Sequence, residues 1–471
     1  MLPLTPRIAP ITRSVLDEGE LLEQLVEGFG SPVNVVLPQS AGANVARFLD
    51  VYRRRRLRGR IHFAHKANRS SALLRQLSTT DAGVDVSSLE ELQHALSSGF
   101  PPDRILATGP KDRAFLWLAA QTGVTVAVDS LAEISDIPGR NAKIMIRLSG
   151  FVSHGVQMVS RRSRFGIRVG DLDTALDLID GRAELVGLAY HLDTVAVAEK
   201  AVAFEGALAA LDKCRARGLR PWTLDIGGGY GVNYLADGAQ WERYTSALAQ
   251  AVLGNRPPMT WNGHGYGLRA ENGTLRGSLT VYPAHRGAAG ADYLDQLLDT
   301  PAPGQRRPLG DLLLDHMYDL DVEPGRALLD QCGLVLTRVV EVRRQDGDLL
   351  VRVDANARDV STEEHGVLMD PVLLGKDEGE GDNDGEGEER GAYLLGNLCL
   401  ESDLITRRQV RLPRTPRTGD LLVFVNTAGY FMDFVATTAV RRPVTPMVAL
   451  YRRDGRWRWC LDENYWPEGA P

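Results

Sequence analysis

The sequence predicts an α/β fold with an added all-β part: a (β/α)8, TIM-like barrel with a C-terminal β-sandwich or β-barrel domain. Three observations predict it. From Lys66 to about residue 230, short apolar strands, turns and helical patterns alternate, as a parallel sheet covered on both faces requires. Beyond about residue 333 the helical patterns fade and β-branched, strand-like stretches take over. A chain of 471 residues is too long for one ordinary domain and suits a barrel of about 250 residues with a partner.

Taken in order, residues 1–44 form an N-terminal segment whose Ser31-Pro32-Val33-Asn34-Val35-Val36-Leu37 strand precedes the barrel and is a candidate to join the β domain. The barrel is expected over 45–332. Its strands are read at Ile61–Lys66, Gly83–Val86, Arg104–Ala107, Val124–Val128, Lys143–Leu148, Leu185–Tyr190, Trp222–Ile226 and a last strand ending near Leu320-Asp321-Val322. An insertion at about 255–310, rich in Gly, Pro and Arg, interrupts it and is a candidate lid over the mouth. Residues 333–471 form the β domain, with strands at Leu334–Val342, Leu349–Val353, Arg408–Leu412 and Asp420–Val425. Within it, 377–389 is almost purely Asp, Glu and Gly. A calcium loop fails there because, with Gly385 at the sixth position, the twelfth falls on Gly391 rather than a bidentate glutamate. A disordered surface insertion is the expectation.

Composition narrows the function classes. With 44% hydrophobic and 24% charged residues the chain reads as soluble and globular, and a formal charge of -7 argues against a nucleic-acid surface. The Arg53-Arg54-Arg55-Arg56 run reads as a solvated helix end. Cys214, Cys332, Cys399 and Cys460 are too scattered for a zinc site or a disulfide scaffold, so no metal is expected and a reducing compartment is. Neither a signal-peptide core nor 18 consecutive apolar residues occurs, so a cytoplasmic protein with no membrane partner is expected.

Lys66 closes the apolar run Ile61-His62-Phe63-Ala64-His65-Lys66, where an amine is costly to desolvate and its pKa falls readily, as a Schiff-base lysine needs. A strand-end lysine reaching solvent is the competing reading. Leu224-Asp225-Ile226-Gly227-Gly228-Gly229 ends a strand in three glycines, which suits either an anion cradle or a tight turn. Glu323-Pro324-Gly325-Arg326 places a carboxylate and a guanidinium three residues apart, consistent with a salt bridge or with phosphate binding.

Together these residues resemble a known family. His65-Lys66-Ala67-Asn68, Ser163-Arg164-Phe165-Gly166, His191, Gly227-Gly228-Gly229, Glu323-Pro324-Gly325-Arg326, Cys399 and Ala428-Gly429-Tyr430 occur in the order found in fold-type III pyridoxal-phosphate decarboxylases. Diaminopimelate, ornithine and arginine decarboxylases belong to that group, which joins an alanine-racemase-like barrel to a β domain. The resemblance runs from about residue 30 to 435.

It implies pyridoxal 5'-phosphate as cofactor, held by Lys66 as an internal aldimine. His191 would stack on the ring, Gly228, Gly229, Arg326, Tyr430 and Thr194 would bind the phosphate, and Glu323 would pair with the pyridine nitrogen. Asp85 and Arg147 match positions lining the site. Glu91 matches too, but Ser88-Leu89-Glu90-Glu91 also reads as a capping box, so Glu91 is assigned to structure. Cys399 would protonate the α carbon of a quinonoid in the partner subunit of a homodimer. The implied reaction is decarboxylation of an amino acid or an amino-acid conjugate. A racemase on the same scaffold and a silent homologue acting through a protein partner are the alternatives. Two departures bear on substrate: Leu400 stands directly after the cysteine where relatives acting on diamino acids carry an acid, with Glu401 one place later, and an Arg-Pro-x-x-Tyr-like segment after Val353-Asp354 is missing. On strand alternation Glu401 is not expected to substitute. Neither free diaminopimelate nor ornithine is therefore expected as the main substrate.

Overall fold

A computed structural model of the chain describes residues 2–139, 142–152, 163–179, 181–375 and 390–468. The acidic stretch 377–389 lies outside the described residues. The chain divides into two compact units, one comprising Ala41–Gly231, Ala288–Leu328 and Tyr465–Pro471, the other Met1–Ser40, Val232–Gly287 and Leu329–Asn464.

The first unit is a closed parallel barrel. Its eight strands are His62–Ala64, Gly83–Val86, Ile105–Ala107, Thr125–Val128, Ala142–Ser149, Ala183–Tyr190, Thr223–Asp225 and Asp319–Asp321, each hydrogen-bonded in parallel to the next. The ring closes where Ile61 bridges Val322. There the His62 N–H donates to the Val322 carbonyl at 2.8 Å and the Val322 N–H to the Arg60 carbonyl at 3.0 Å. Leu106, Ala127, Met145, Val186 and Ala189 form a buried cluster contributed by four of the strands, which makes the barrel a packed core rather than a pore.

Side-chain caps define where several strands hand over to helices. Ser70, Ser88, Asp112 and Ser130 each accept a hydrogen bond from the N–H three residues on, at Leu73, Glu91, Phe115 and Glu133. The Glu91 carboxylate reaches back to the Ser87 N–H at 2.7 Å, and Glu133 does the same to Asp129 at 2.8 Å. This is the reciprocal geometry of a capping box, one residue further upstream than usual. The helix Pro38–Arg55 carries the arginine run at its end, where Arg53 pairs with Asp50 and Arg55 with Asp295 and Asp299.

In the second unit nine strands are linked through the long strand Gly333–Gln345. A register shift between Val339 and Glu341 marks the change of partner: residues up to Arg338 pair with Leu421–Val425 and Val33–Val36, while Val339 and the residues from Glu341 on pair with Asp348–Val353. The N-terminal strand Val33–Val36 lies between Gly333–Gln345, antiparallel, and Met447–Arg453, parallel. Val15, Leu22, Leu25, Val33, Val35, Leu334, Leu336, Val423 and Val448 make its core. Residues Val232–Gly287 group with this unit and contain the helix Gly238–Val252 and the hairpin Leu268–Glu271/Thr274–Gly277. Among the described residues no helix is long and apolar enough to cross a membrane.

One local expectation fails here. The strand Arg390–Leu395 ends before Cys399, and both oxygens of Asp403 are occupied by the N–H groups of Ala357, at 2.8 Å, and Leu398, at 2.7 Å. Residues 396–403 are therefore a turn stapled by Asp403. Strand alternation does not govern where Glu401 points, because the pleat exists only in extended, paired backbone.

Candidate active site

Chemistry-bearing side chains gather at the carboxyl ends of the barrel strands, because each strand's last residue is followed by a turn and a helix that leads the chain away. At the first strand the chain enters a single 3-10 turn, His65–Ala67, which carries Lys66. Its ammonium stands 3.9 Å from Asp85 on the second strand, and its side chain is 41% exposed. Of the two readings of Lys66, a desolvated amine or one that reaches solvent, the exposure matches the second, since the turn lifts the side chain off the strand. Asp85 is the buried partner. One oxygen accepts from Thr108, which follows the third strand, and the other has no hydrogen-bond partner. Burial, with Glu323 nearby, pushes the Asp85 carboxyl up to about 7 against the opposing pull of Lys66.

Behind Lys66, His65 contacts His94 at 2.9 Å, and His94 contacts Ser71 at 2.9 Å. Burial and the neighbouring His65 lower the His94 pKa to about 4. Glu91 lies 3.8 Å from His65 while capping its helix, which supports its structural assignment.

On the opposite arc, His191 follows the sixth strand, Gly227-Gly228-Gly229 the seventh and Glu323 the eighth. These are tied to one another through backbone. The Glu323 N–H donates to the Gly227 carbonyl at 3.0 Å, the Gly227 N–H to Asp225 at 2.7 Å, and the Gly228 N–H to His191 Nδ1 at 3.3 Å. The Glu323 carboxylate is 3.4 Å from the same imidazole nitrogen. Burial raises Glu323, but His191, Lys66 and Arg147 outweigh it and hold the carboxyl at about 2, while burial lowers His191. A Cβ at Gly228 would lie 2.8 Å from the Glu323 carbonyl oxygen, and one at Gly229, whose φ is +88°, 2.8 Å from the Thr194 carbonyl oxygen. Only glycine lets the loop pass this close.

Of the other sequence candidates, Arg147 on the fifth strand pairs with Asp129 at 3.4 Å and lies over the Phe165 ring. The Thr194 hydroxyl accepts from the Ala196 N–H at 3.0 Å and so shapes the entry to the helix Val197–Ala216. Arg326 is half-buried in the turn after the last strand. Cys399 and Tyr430 belong to the other unit, Cys399 exposed in its turn and Tyr430 at φ +74°.

Sequence reasoning missed Thr108, Asp225 and Lys200. Asp225 carried a legible signal, an aspartate two residues before a glycine at a strand end, which is an Asx-turn pattern. Its carboxyl, wholly buried, is raised well above the usual range by burial and by Glu323 and Asp321. Lys200 had none, being a lone lysine in the alanine-rich run Ala196–Ala203.

Residues 43–273 match the family model described as the pyridoxal-binding domain of pyridoxal-dependent decarboxylases. An uncharacterized protein, y4yA, of Sinorhizobium fredii is 29% identical over 99% of this chain and 95% of its own. The diaminopimelate decarboxylase of Deinococcus radiodurans is 27% identical over 90% of each chain. Among solved structures, the diaminopimelate decarboxylase from M. jannaschii in complex with L-lysine superposes with a TM-score of 0.69 at 18% identity, over 91% of this chain and 89% of that one. The Paramecium bursaria Chlorella virus arginine decarboxylase bound to agmatine does so at 0.66 and 18%, over 92% and 100%. At such identities the structural likeness establishes the fold alone.

Proposed function

Given that the chain belongs to the fold-type III pyridoxal-phosphate-dependent decarboxylase family, we propose that it decarboxylates an amino acid or an amino-acid conjugate, using Lys66 and pyridoxal phosphate. The observation that carries this reading is the ring of Lys66, Asp85, Arg147, His191, Gly227–Gly229 and Glu323 at the carboxyl ends of one barrel. Pyridoxal phosphate fits the groups present. A primary amine stands ready for the aldehyde, an ionised carboxylate for the ring nitrogen, and a loop that a Cβ would fill for the phosphate. When bound, that cofactor supplies the electron sink for the bond-breaking step.

The protein's own groups have distinct tasks in this reading. Lys66 holds the cofactor. Glu323, kept ionised by its neighbours, pairs with the ring nitrogen and keeps it protonated. His191, whose pKa burial lowers, would lie against the ring beside Glu323. Asp85, with a carboxyl near 7 and one open oxygen beside Lys66, accepts or returns a proton at that amine. Gly228, Gly229, Thr194, Arg326 and, from the family resemblance, Tyr430 would take the phosphate, and Arg147, paired with Asp129, would line the site. Cys399 is the proton donor to the substrate carbon, across a homodimer interface. Leu400 in place of an acid, and an Asn356–Asp359 turn whose polar groups bond to one another at 2.9 Å and to Thr445 at 3.1 Å, support a substrate other than free diaminopimelate or ornithine.

Borohydride reduction of the purified protein, followed by peptide mapping, tests the reading together with CO2 release across a broad amino-acid panel. The expected result is a pyridoxyl adduct on Lys66 and CO2 from at least one amino acid. Absence of the adduct overturns the cofactor assignment. Enantiomer production without CO2 replaces decarboxylation by racemisation.

A further inference from the structure

Two lysines are buried near the barrel mouth, and they differ in one respect. Lys111 donates to the carbonyls of Gly109 and Ala127 and has Glu133 at 3.2 Å as its counterion. Lys200, only 1% exposed, donates to the carbonyls of Gly228 at 2.5 Å and Gly229 at 3.2 Å, and no carboxylate pairs with it among the described residues. The groups facing it are the rings of Tyr230 on the glycine loop and Tyr293 on the helix Gly290–Asp299, 4.9 and 5.3 Å from its nitrogen, and Tyr190 of the sixth strand, whose hydroxyl lies 3.5 Å from its carbonyl. Lys200 is also the fourth residue of the helix Val197–Ala216, where a cation opposes the helix dipole. Neither helix stability nor an ion pair accounts for its presence.

The loop that Lys200 supports is shaped by this contact. Across a trans peptide, C=O and N–H point in opposite directions. By binding the carbonyls of Gly228 and Gly229, Lys200 turns the following N–H groups, of Gly229 and Tyr230, to the other side. Those two N–H groups have no acceptor among the described residues. Successive N–H groups of this kind, backed by a buried cation, form an anion nest.

We infer that Lys200 is a positioning residue for the cofactor phosphate, fixing the Gly228–Gly229 loop from behind and supplying the positive charge that a phosphate dianion on the loop's other side requires. This rests on the cofactor reading above. Burial alone lowers the Lys200 pKa to about 7, so near neutral pH its charge is only partly present. Arrival of a dianion favours the charged form. Binding therefore takes up a proton, and affinity for the phosphate dianion is greatest between about pH 6, below which the phosphate gains a proton, and about pH 7, declining as pH rises through that value and beyond.

The test uses the full-length protein freed of cofactor, titrated with 4'-deoxypyridoxine 5'-phosphate, which cannot react with Lys66, and with unphosphorylated 4'-deoxypyridoxine. Affinity is followed by tryptophan fluorescence. Proton uptake is followed by calorimetry at slightly alkaline pH in two buffers of different ionisation enthalpy. The wild-type protein is expected to take up a proton with the phosphorylated ligand only. Lys200→Met and Lys200→Gln are expected to weaken the phosphorylated ligand by about ten- to a hundredfold, as loss of a charge-assisted contact does, with the unphosphorylated ligand little affected and proton uptake lost. Equal weakening of both ligands, or no proton uptake by wild type, overturns the inference. Should neither variant fold, the wild-type proton count decides alone. If the borohydride adduct forms but proton uptake is absent, only the role of Lys200 falls; if neither appears, the cofactor reading falls and takes that role with it.

Discussion

The two arcs of the barrel mouth are built differently. On the arc of the first three strands, Lys66 is partly exposed, its contact with Asp85 is loose at 3.9 Å, and Asp85 keeps one oxygen open. On the arc of the last three strands, His191, Gly227, Gly228 and Glu323 are locked together by backbone hydrogen bonds, with Lys200 bound to the loop from behind. The lesson is one of division. Groups that must form and break bonds or pass protons need freedom and a pKa near the working pH, whereas groups that hold a cofactor need to be in place before it arrives.

The comparison breaks most sharply at Lys66. Lys66→Ala is expected to reduce turnover by roughly 10⁴-fold or more, while affinity for a phosphorylated, non-reactive cofactor analogue stays close to wild type. Steady-state kinetics and the binding titration check both halves, and a large loss of analogue affinity would show that the arcs are not separable. On the other arc, Glu323→Gln removes the charge that keeps a ring nitrogen protonated. It is expected to lower kcat by about 10²-fold or more while leaving the borohydride adduct on Lys66 intact. Single-turnover CO2 release with peptide mapping distinguishes this from simple loss of cofactor.

A smaller effect concerns Asp85 and pH. Its folded carboxyl sits near 7, above the value of about 4 in an unfolded chain, so the folded state holds this proton more tightly. The site's contribution to stability is full at low pH and is lost as pH rises from about 4 to about 7. Asp85→Asn has no proton to lose there, so its Tm relative to wild type is expected to be higher at pH 8 than at pH 5. Parallel melts measure the difference, and a pH-independent offset would place Asp85 outside the titrating arc. The smallest effect is structural: Ser88→Ala, which removes a helix cap, is expected to cost about 1 kcal/mol of stability with kcat unchanged. Denaturant melts together with kinetics check that Glu91 and its cap serve the scaffold.

Much of the barrel was legible because its strands are short, apolar and separated by turn chemistry, as at Gly83–Val86 before the Ser88 cap. Lys66, Gly228 and Glu323 could be picked out at strand ends for the same reason, and His191 through the family resemblance. The environment of Lys66 was left open between burial and solvent, because the 3-10 turn that lifts it toward solvent has no strong local signature in His65-Lys66-Ala67. The backbone around Glu401 was read as a strand because the turn there is stapled by the side chain of Asp403, a contact invisible to backbone periodicity.

By itself the sequence determined the order of the strands, the period of their apolar residues and the ordered motifs that carry the family resemblance. These are local properties, written in side-chain size, hydropathy and glycine placement. Only the tertiary structure decided which charges meet. Asp85 finds Thr108 and Lys66, Glu323 finds His191, and Lys200 reaches the carbonyls of Gly228 and Gly229 across 28 and 29 positions of chain. The strength of a charge depends on burial and on neighbours brought together by folding, and no linear pattern encodes either.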